Sequence, residues 1–384
     1  MKRRSFLLGA GTLTLSQMVA GCGSSQNPTL RVRLLKNSIP AQLLTKFRQS
    51  LKQSATLDFT PATQLKDLFA SLETWQNPGK ANQGWGRNLP LITPKTPVIA
   101  DLVTLGDFWL ARAIEQKLIQ PLELTQAGGW NQLPSRWQEL VKRNSQGQSD
   151  PAGKIWGAPY RWGSTVIIYR RDKFKSLGWT PTDWQDLWRE ELRDRISLLD
   201  QPREVIGLTL KRLGHSYNTE RIDKIPELKN TLQKLHQQVK FYSSDTYLQP
   251  LLLGDTWLAV GWSTDVLSVM KRDRNIAAVV PVSGTALWAD LWVQPAAAAA
   301  NPLLQQWINF CWESKPATEI SLFSRAASPI VTGMNPAELP QFLQTNSILL
   351  PDAQILDKSE FLFPLPQSTA LAYRSLWQEI RQTV

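Results

Sequence analysis

Short apolar strands alternate with amphipathic helices from residue 30 onward, which restricts the chain to an α/β fold with mostly parallel strands. Residues 30–35 (Leu30-Arg31-Val32-Arg33-Leu34-Leu35) carry the period-two pattern of a strand. Ile39-Pro40 then opens a helix whose apolar face is Leu43, Leu44, Phe47 and Leu51. A second unit follows, with Leu57-Asp58-Phe59 as strand and Leu65, Leu68, Phe69 and Leu72 at helical spacing. Residues 77–97, rich in Gly, Pro and Asn, read as a surface excursion. The run 98–103 is apolar enough for a strand buried on both faces, and Asp107 starts a helix carrying Trp109, Ile114 and Leu118.

The second half keeps the rhythm. Residues 156–163 lead into a strand at 165–169, a Trp-rich turn and short helix occupy 179–187, and the strand 197–199 ends at Asp200. Helices are expected at 202–213 and 225–239, and the strand 258–261 has Trp262 at its exit. Strands 277–282 and 286–293 are joined by a turn at Gly284, and helices at 303–312 and 368–382 complete the reading. A chain of 384 residues has length and apolar content for two cores. Beyond the N-terminus no segment has eighteen uninterrupted apolar residues.

The N-terminus is a processing segment rather than part of the fold. Lys2, Arg3 and Arg4 precede an apolar run, 6–19, that is too short for a permanent span. Val19-Ala20-Gly21-Cys22 resembles the lipobox of bacterial lipoproteins, and Arg3-Arg4-Ser5-Phe6-Leu7 resembles a twin-arginine signal. The expectation is a signal peptide over 1–21, lipidation at Cys22, a flexible tether over 22–28, and residence at the periplasmic face of the bacterial inner membrane or in the periplasm. Cleavage would remove three basic residues and no acid, taking the formal charge from +11 to 11 − 3 = +8. That charge is scattered in pairs such as Arg170-Arg171, with no basic stripe, so nucleic acid is not an expected partner. With Cys22 committed to lipid, Cys311 lacks a disulfide partner and reads as a buried, inert thiol.

Chemistry-bearing residues are few. The only two histidines, His215 and His236, stand near no acid–serine or cysteine pattern, and neither a phosphate-cradling Gly loop nor metal-ligand spacing occurs. No catalysis, cofactor or metal is expected. The seventeen Trp exceed what cores usually need; most pack inside, and the remainder offer ring faces to cations or flat ligands. Binding of a small solute is the favoured role.

Four segments then identify a family: 155–164 (Ile-Trp-Gly-Ala-Pro-Tyr-Arg-Trp-Gly-Ser), 199–208 (Leu-Asp-Gln-Pro-Arg-Glu-Val-Ile-Gly-Leu), 254–262, and Gly284-Thr285-Ala286-Leu287-Trp288-Ala289-Asp290. In this order they resemble periplasmic spermidine/putrescine-binding proteins, the solute receptors of polyamine ABC importers. The resemblance runs from about residue 30 to the C-terminus. It implies a two-lobe periplasmic-binding-protein fold, no enzymatic activity, and an ABC permease with its ATPase as partners. It also implies Glu204, Trp262, Trp288 and Asp290 as ligand-binding residues. The chemistry fits, because a flexible chain of ammonium groups needs spaced carboxylates and aromatic walls. Glu204 also suits a helix first turn for its own sake, whereas Asp290 interrupts a strand and needs a partner there. The family's second carboxylate falls on Gln201, beside Asp200. A Ser-Thr-Tyr element falls on Gly106-Asp107-Phe108, where Asp107 supplies a charge and Phe108 a ring. Other family positions fall near Leu35, Ser38, Ala326 and Leu362.

The expected layout places residues 29–160 plus 285–318 in a first lobe and 161–284 plus 319–384 in a second, with the solute between them. A polyamine or similar small organic cation is the favoured solute. The rivals are a receptor of the same fold for an anion, an amino-acid derivative or a small peptide, and a lipoprotein sensor that transports nothing.

Overall fold

The computed structural model describes residues 27–77, 98–124 and 128–382. The signal peptide, Cys22 and most of the expected tether, together with residues 78–97 of the expected excursion, lie outside the described residues. The strands are β1 (Thr29–Leu35), β2 (Thr56–Ala62), β3 (Leu102–Gly106), β4 (Ile119–Gln120), β5 (Lys142–Arg143), β6 (Lys154–Ile155) and β7 (Ala158–Arg170). There follow β8 (Ile196–Leu198), β9 (Val239–Tyr242), β10 (Leu258–Trp262), β11 (Ile276–Val279), β12 (Ala286–Pro295) and β13 (Glu360–Phe361).

The main sheet runs β2-β1-β3-β12-β7-β10-β8-β9, with β4 and β13 on β12 and β11 on β7. Both flanks are built from parallel βα units: β2, β1 and β3 on one side, β10, β8 and β9 on the other. Between them β12 runs antiparallel to β3 and β7, and β7 runs antiparallel to β10, so the α/β sheet is mixed at its centre. β7 joins the flanks. Its first half, to Ser164, pairs with β12, and its second half, from Thr165, pairs with β10 and β11. Every β7 residue but Arg170 is buried, in keeping with a run of Val166, Ile167, Ile168 and Tyr169 covered on both faces. On β1 the alternation of Leu30, Val32 and Leu34 with Arg31 and Arg33 turns the leucines and the valine inward.

Two hydrophobic cores form on this frame. One gathers Leu30, Val32, Phe47, Leu105, Trp292, Trp307 and Trp312. The other gathers Ile167, Phe174, Trp184, Ile206, Leu208 and, from the last helix, Tyr373 and Trp377. Side chains from Ile320 to Leu349 join the first of these cores. Cys311 is fully buried, and burial pushes its thiol well above the ordinary range.

Three elements differ from the sequence reading, each for a local reason. The strand expected at 98–103 forms instead at Leu102–Gly106, because pairing with β1 begins at Asp101. The Asp101 N–H donates to the Arg31 carbonyl (2.8 Å) and its carboxylate accepts the Arg31 N–H (2.7 Å), while Val98 is 59% exposed. The helix expected from Asp107 begins as a 3₁₀ turn and ends at Glu115, because Lys117 turns left-handed at φ 55° and sends the Leu118 N–H back to the Ala113 carbonyl. The segment at 156–163 is mostly strand itself from Ala158. Among the described residues no helix is long and apolar enough to cross a membrane.

Candidate ligand-binding site

Through the antiparallel ladders of β12 and β7, β3 runs opposite to β8 and β10, so the carboxyl ends of the two flanks face each other, and such strand ends are where open α/β sheets present their ligand groups. β3 ends beside Asp290 and delivers Asp107 and Phe108 on the next turn. β8 leads into the helix Pro202–Arg212, which places Gln201 at its start and Glu204 in its first turn. β10 exits at Trp262 into the helix Ser263–Met270, and β12 brings Trp288 and Asp290. These residues, which are all of the sequence candidates within the described chain, line one cavity of about 370 Å³. Leu35 and Leu362 line it as well, while Asp200 is exposed and Ser38 and Ala326 are buried away from it.

The carboxyl groups differ in how they are satisfied. Asp290 lies opposite Arg161 across β12 and β7, at a register shift where Pro159 leaves the ladder without a donor. Arg161 donates to Asp290 Oδ2 from Nε (2.7 Å) and approaches it with Nη2 (2.5 Å), both side chains being under a tenth exposed. Against the burial that opposes it, the Asp290 carboxylate lifts the Arg161 pKa above its ordinary value, so the pair is ionic.

Asp107 and Glu204 have no such cation. Asp107 Oδ1 accepts the Ala289 N–H (3.1 Å), and burial, reinforced by the charge of Asp290, raises its pKa to about 7 although Arg143 opposes. Glu204 accepts the Thr165 hydroxyl on its two oxygens (3.2 and 3.1 Å), and burial raises its pKa to about 7 although that bond and Arg203 oppose. Asp265, also in the lining, accepts from the Tyr247 hydroxyl (2.8 Å), and burial raises its pKa too.

The walls are aromatic. Tyr247 meets Trp262 edge-on at 5.9 Å, accepts its backbone N–H (3.0 Å) and donates its own hydroxyl to Asp265, which locks ring and carboxyl together. Phe108 is 63% exposed and turned to the open side. Two glycines admit these rings: a Cβ on Gly261 would overlap the Tyr247 ring, and one on Gly163 would overlap the Trp288 indole. Gly261→Ala is therefore expected to lower stability by about 1–3 kcal/mol in a urea melt and to displace Tyr247 from Trp262. An unchanged midpoint would mean the Tyr247 ring is not seated there.

Arg161, Asp265, Thr165 and Trp109 were not singled out in the sequence. A lone Arg within the buried run around Tyr160 and Trp162 was a usable signal, because an arginine there needs an acid opposite. Asp265 offered none, since an acid in the first turn of a helix is common without any ligand.

A cavity at strand ends, with buried carboxyls and aromatic walls, has the form of a site for a small solute. Among the described residues no group of His, Cys, Asp and Glu could hold a metal ion. A family model described as bacterial extracellular solute-binding protein matches residues 98–359. The spermidine/putrescine-binding periplasmic protein of Salmonella typhimurium is 24% identical over 375 residues, covering 98% of this chain and 97% of that protein. The putrescine/cadaverine-binding protein of Pseudomonas aeruginosa is 28% identical over 246 residues, covering 60% of this chain and 67% of that protein. The solved spermidine/putrescine ABC transporter substrate-binding protein of Streptococcus pneumoniae shares the fold with a TM-score of 0.75 at 19% identity, over 92% of this chain and 99% of that one. The chain belongs to the bacterial extracellular solute-binding protein family and has the periplasmic-binding-protein fold; it is a receptor and not an enzyme.

Proposed function

We propose that this protein is the lipid-anchored solute receptor of an ABC importer and binds a polyamine, or a similar small organic cation, in a cleft between two lobes. The observation that carries the reading is the pair of buried acids, Asp107 and Glu204, set without a cationic partner in a cavity walled by Trp262 and Trp288. An ammonium group entering there restores the charge partner that burial withholds, and the indoles meet its methylenes and its charge. The relatives named for spermidine, putrescine and cadaverine support the same class. The permease and its ATPase are the implied partners, and they would recognise the closed receptor. We place the lobes at 29–160 plus 285–318 and 161–284 plus 319–384.

Affinity is expected to depend on pH with a definite sign. Asp107 and Glu204, at about 7, are largely protonated at lower pH. A bound ammonium favours their charged form, so binding expels protons and tightens from about pH 5.5 to about pH 8. Calorimetry in buffers of different ionisation enthalpy counts those protons. Affinity that is flat or falls over this range would contradict the assignment of these acids.

The anchor is tested separately. Cys22→Ser should leave the precursor unprocessed at that position and without acyl groups, as read by mass spectrometry of the exported chain. A mature N-terminus elsewhere, with Cys22 unmodified in the wild type, would exclude the lipoprotein reading.

A further inference from the structure

A second cavity, of about 350 Å³, opens beside the first and shares Asp107, Phe108, Gln201 and Leu362 with it. Apart from Asp107 its charged lining has the opposite sign: Arg143, Arg203 and Arg374. Among the described residues none of the three enters an ion pair. Arg143, 2% exposed, donates to the Leu140 carbonyl (2.9 Å) and to the Ser149 hydroxyl (2.8 Å) and lies 5.0 Å from the Phe363 ring centre. Arg203 donates to the Phe363 carbonyl (3.1 Å) and Asn218 Oδ1 (3.0 Å), and its buried Nε has no partner. Arg374 is exposed and holds the Ala370 carbonyl of its own helix (3.3 Å).

Neutral acceptors satisfy hydrogen bonds but not charge. Burial draws the Arg143 pKa down to about 10, and the acid that opposes this is Asp107, at the junction of the two cavities. A desolvated guanidinium of this kind is stabilised by an anion, and the planar forks of arginine suit a carboxylate. A plain polyamine long enough to reach across would bring like charge to these arginines.

We propose that the second cavity is an anion subsite and that the solute is a linear amine carrying a carboxylate at its far end. Its ammonium lies in the first cavity by Glu204, and its carboxylate lies among Arg143, Arg203 and Arg374. This rests on the cation-receptor reading above and adds a second charge to it.

The test is calorimetric titration of the mature chain with length-matched pairs: linear diamines against ω-amino acids, and spermidine against an analogue whose one arm ends in carboxylate. The carboxylate-bearing member of the best pair is expected to bind at least tenfold tighter. Arg374→Gln, an exposed position, should shrink that ratio several-fold, and Arg203→Gln provides a second reading should either variant melt early. Diamines or spermidine binding as tightly as their carboxylated partners would overturn the anion subsite while leaving the cation receptor intact. A ratio unchanged in both variants would also overturn it. Binding of succinate with no binding of any amine would remove the cation reading, and this inference with it.

Discussion

Asp290→Asn is expected to lower the free energy of unfolding by about 3–5 kcal/mol, because it strips the charge partner from a buried guanidinium. The pair is set by register: Asp290 and Arg161 face each other across β12 and β7, with Nε to Oδ2 at 2.7 Å and solvent nearly excluded. An asparagine still accepts one hydrogen bond but leaves the charge of Arg161 uncompensated. Urea denaturation of the ligand-free chain measures the loss. A change of under about 1 kcal/mol would show that water or another group compensates Arg161. Replacing both partners with apolar residues of similar volume should recover much of the stability, since desolvation of the pair is removed along with its attraction.

Glu204→Gln should do the reverse, sparing the fold and removing binding. A bound ammonium that loses this carboxylate is left partly desolvated, at about 2–5 kcal/mol, or roughly thirtyfold to several thousandfold in Kd. Ligand-free stability should move the other way with pH. The folded pKa of Glu204, about 7, lies above its ordinary 4.5, so the folded wild type holds this proton more tightly than the unfolded chain. The resulting loss of stability is absent below the ordinary value and grows as pH rises toward about 7. Glu204→Gln should therefore match wild type in acid and exceed it at pH 8. Thermal melts at the two pH values read this, and a variant less stable at pH 8 would mean that the carboxylate has a structural cation.

How much of this was legible in the sequence follows from what each residue needs. Strands such as 30–35 and helices such as 65–76 showed themselves because burial on one face imposes a period, and Trp262 and Glu204 were findable because a strand exit and a helix first turn have local signatures. The antiparallel insertion of β12 beside β7 was not legible, since both strands read as continuous apolar runs that fit either direction. For the same reason the partner that Asp290 needs could not be named from the sequence, since the arginine that claims it lies 129 positions away. The arginine-lined cavity was equally hidden. Arg143, Arg203 and Arg374 come from distant segments and meet only in the folded chain.

The most direct test of the account is calorimetric titration of the mature wild-type chain at pH 8 with spermidine, putrescine and the amines of the carboxylated series, alongside succinate as the anion control. The account predicts saturable binding of amines, proton release when the titration is repeated at pH 7, and no heat with succinate. Binding of succinate with none of any amine would contradict it.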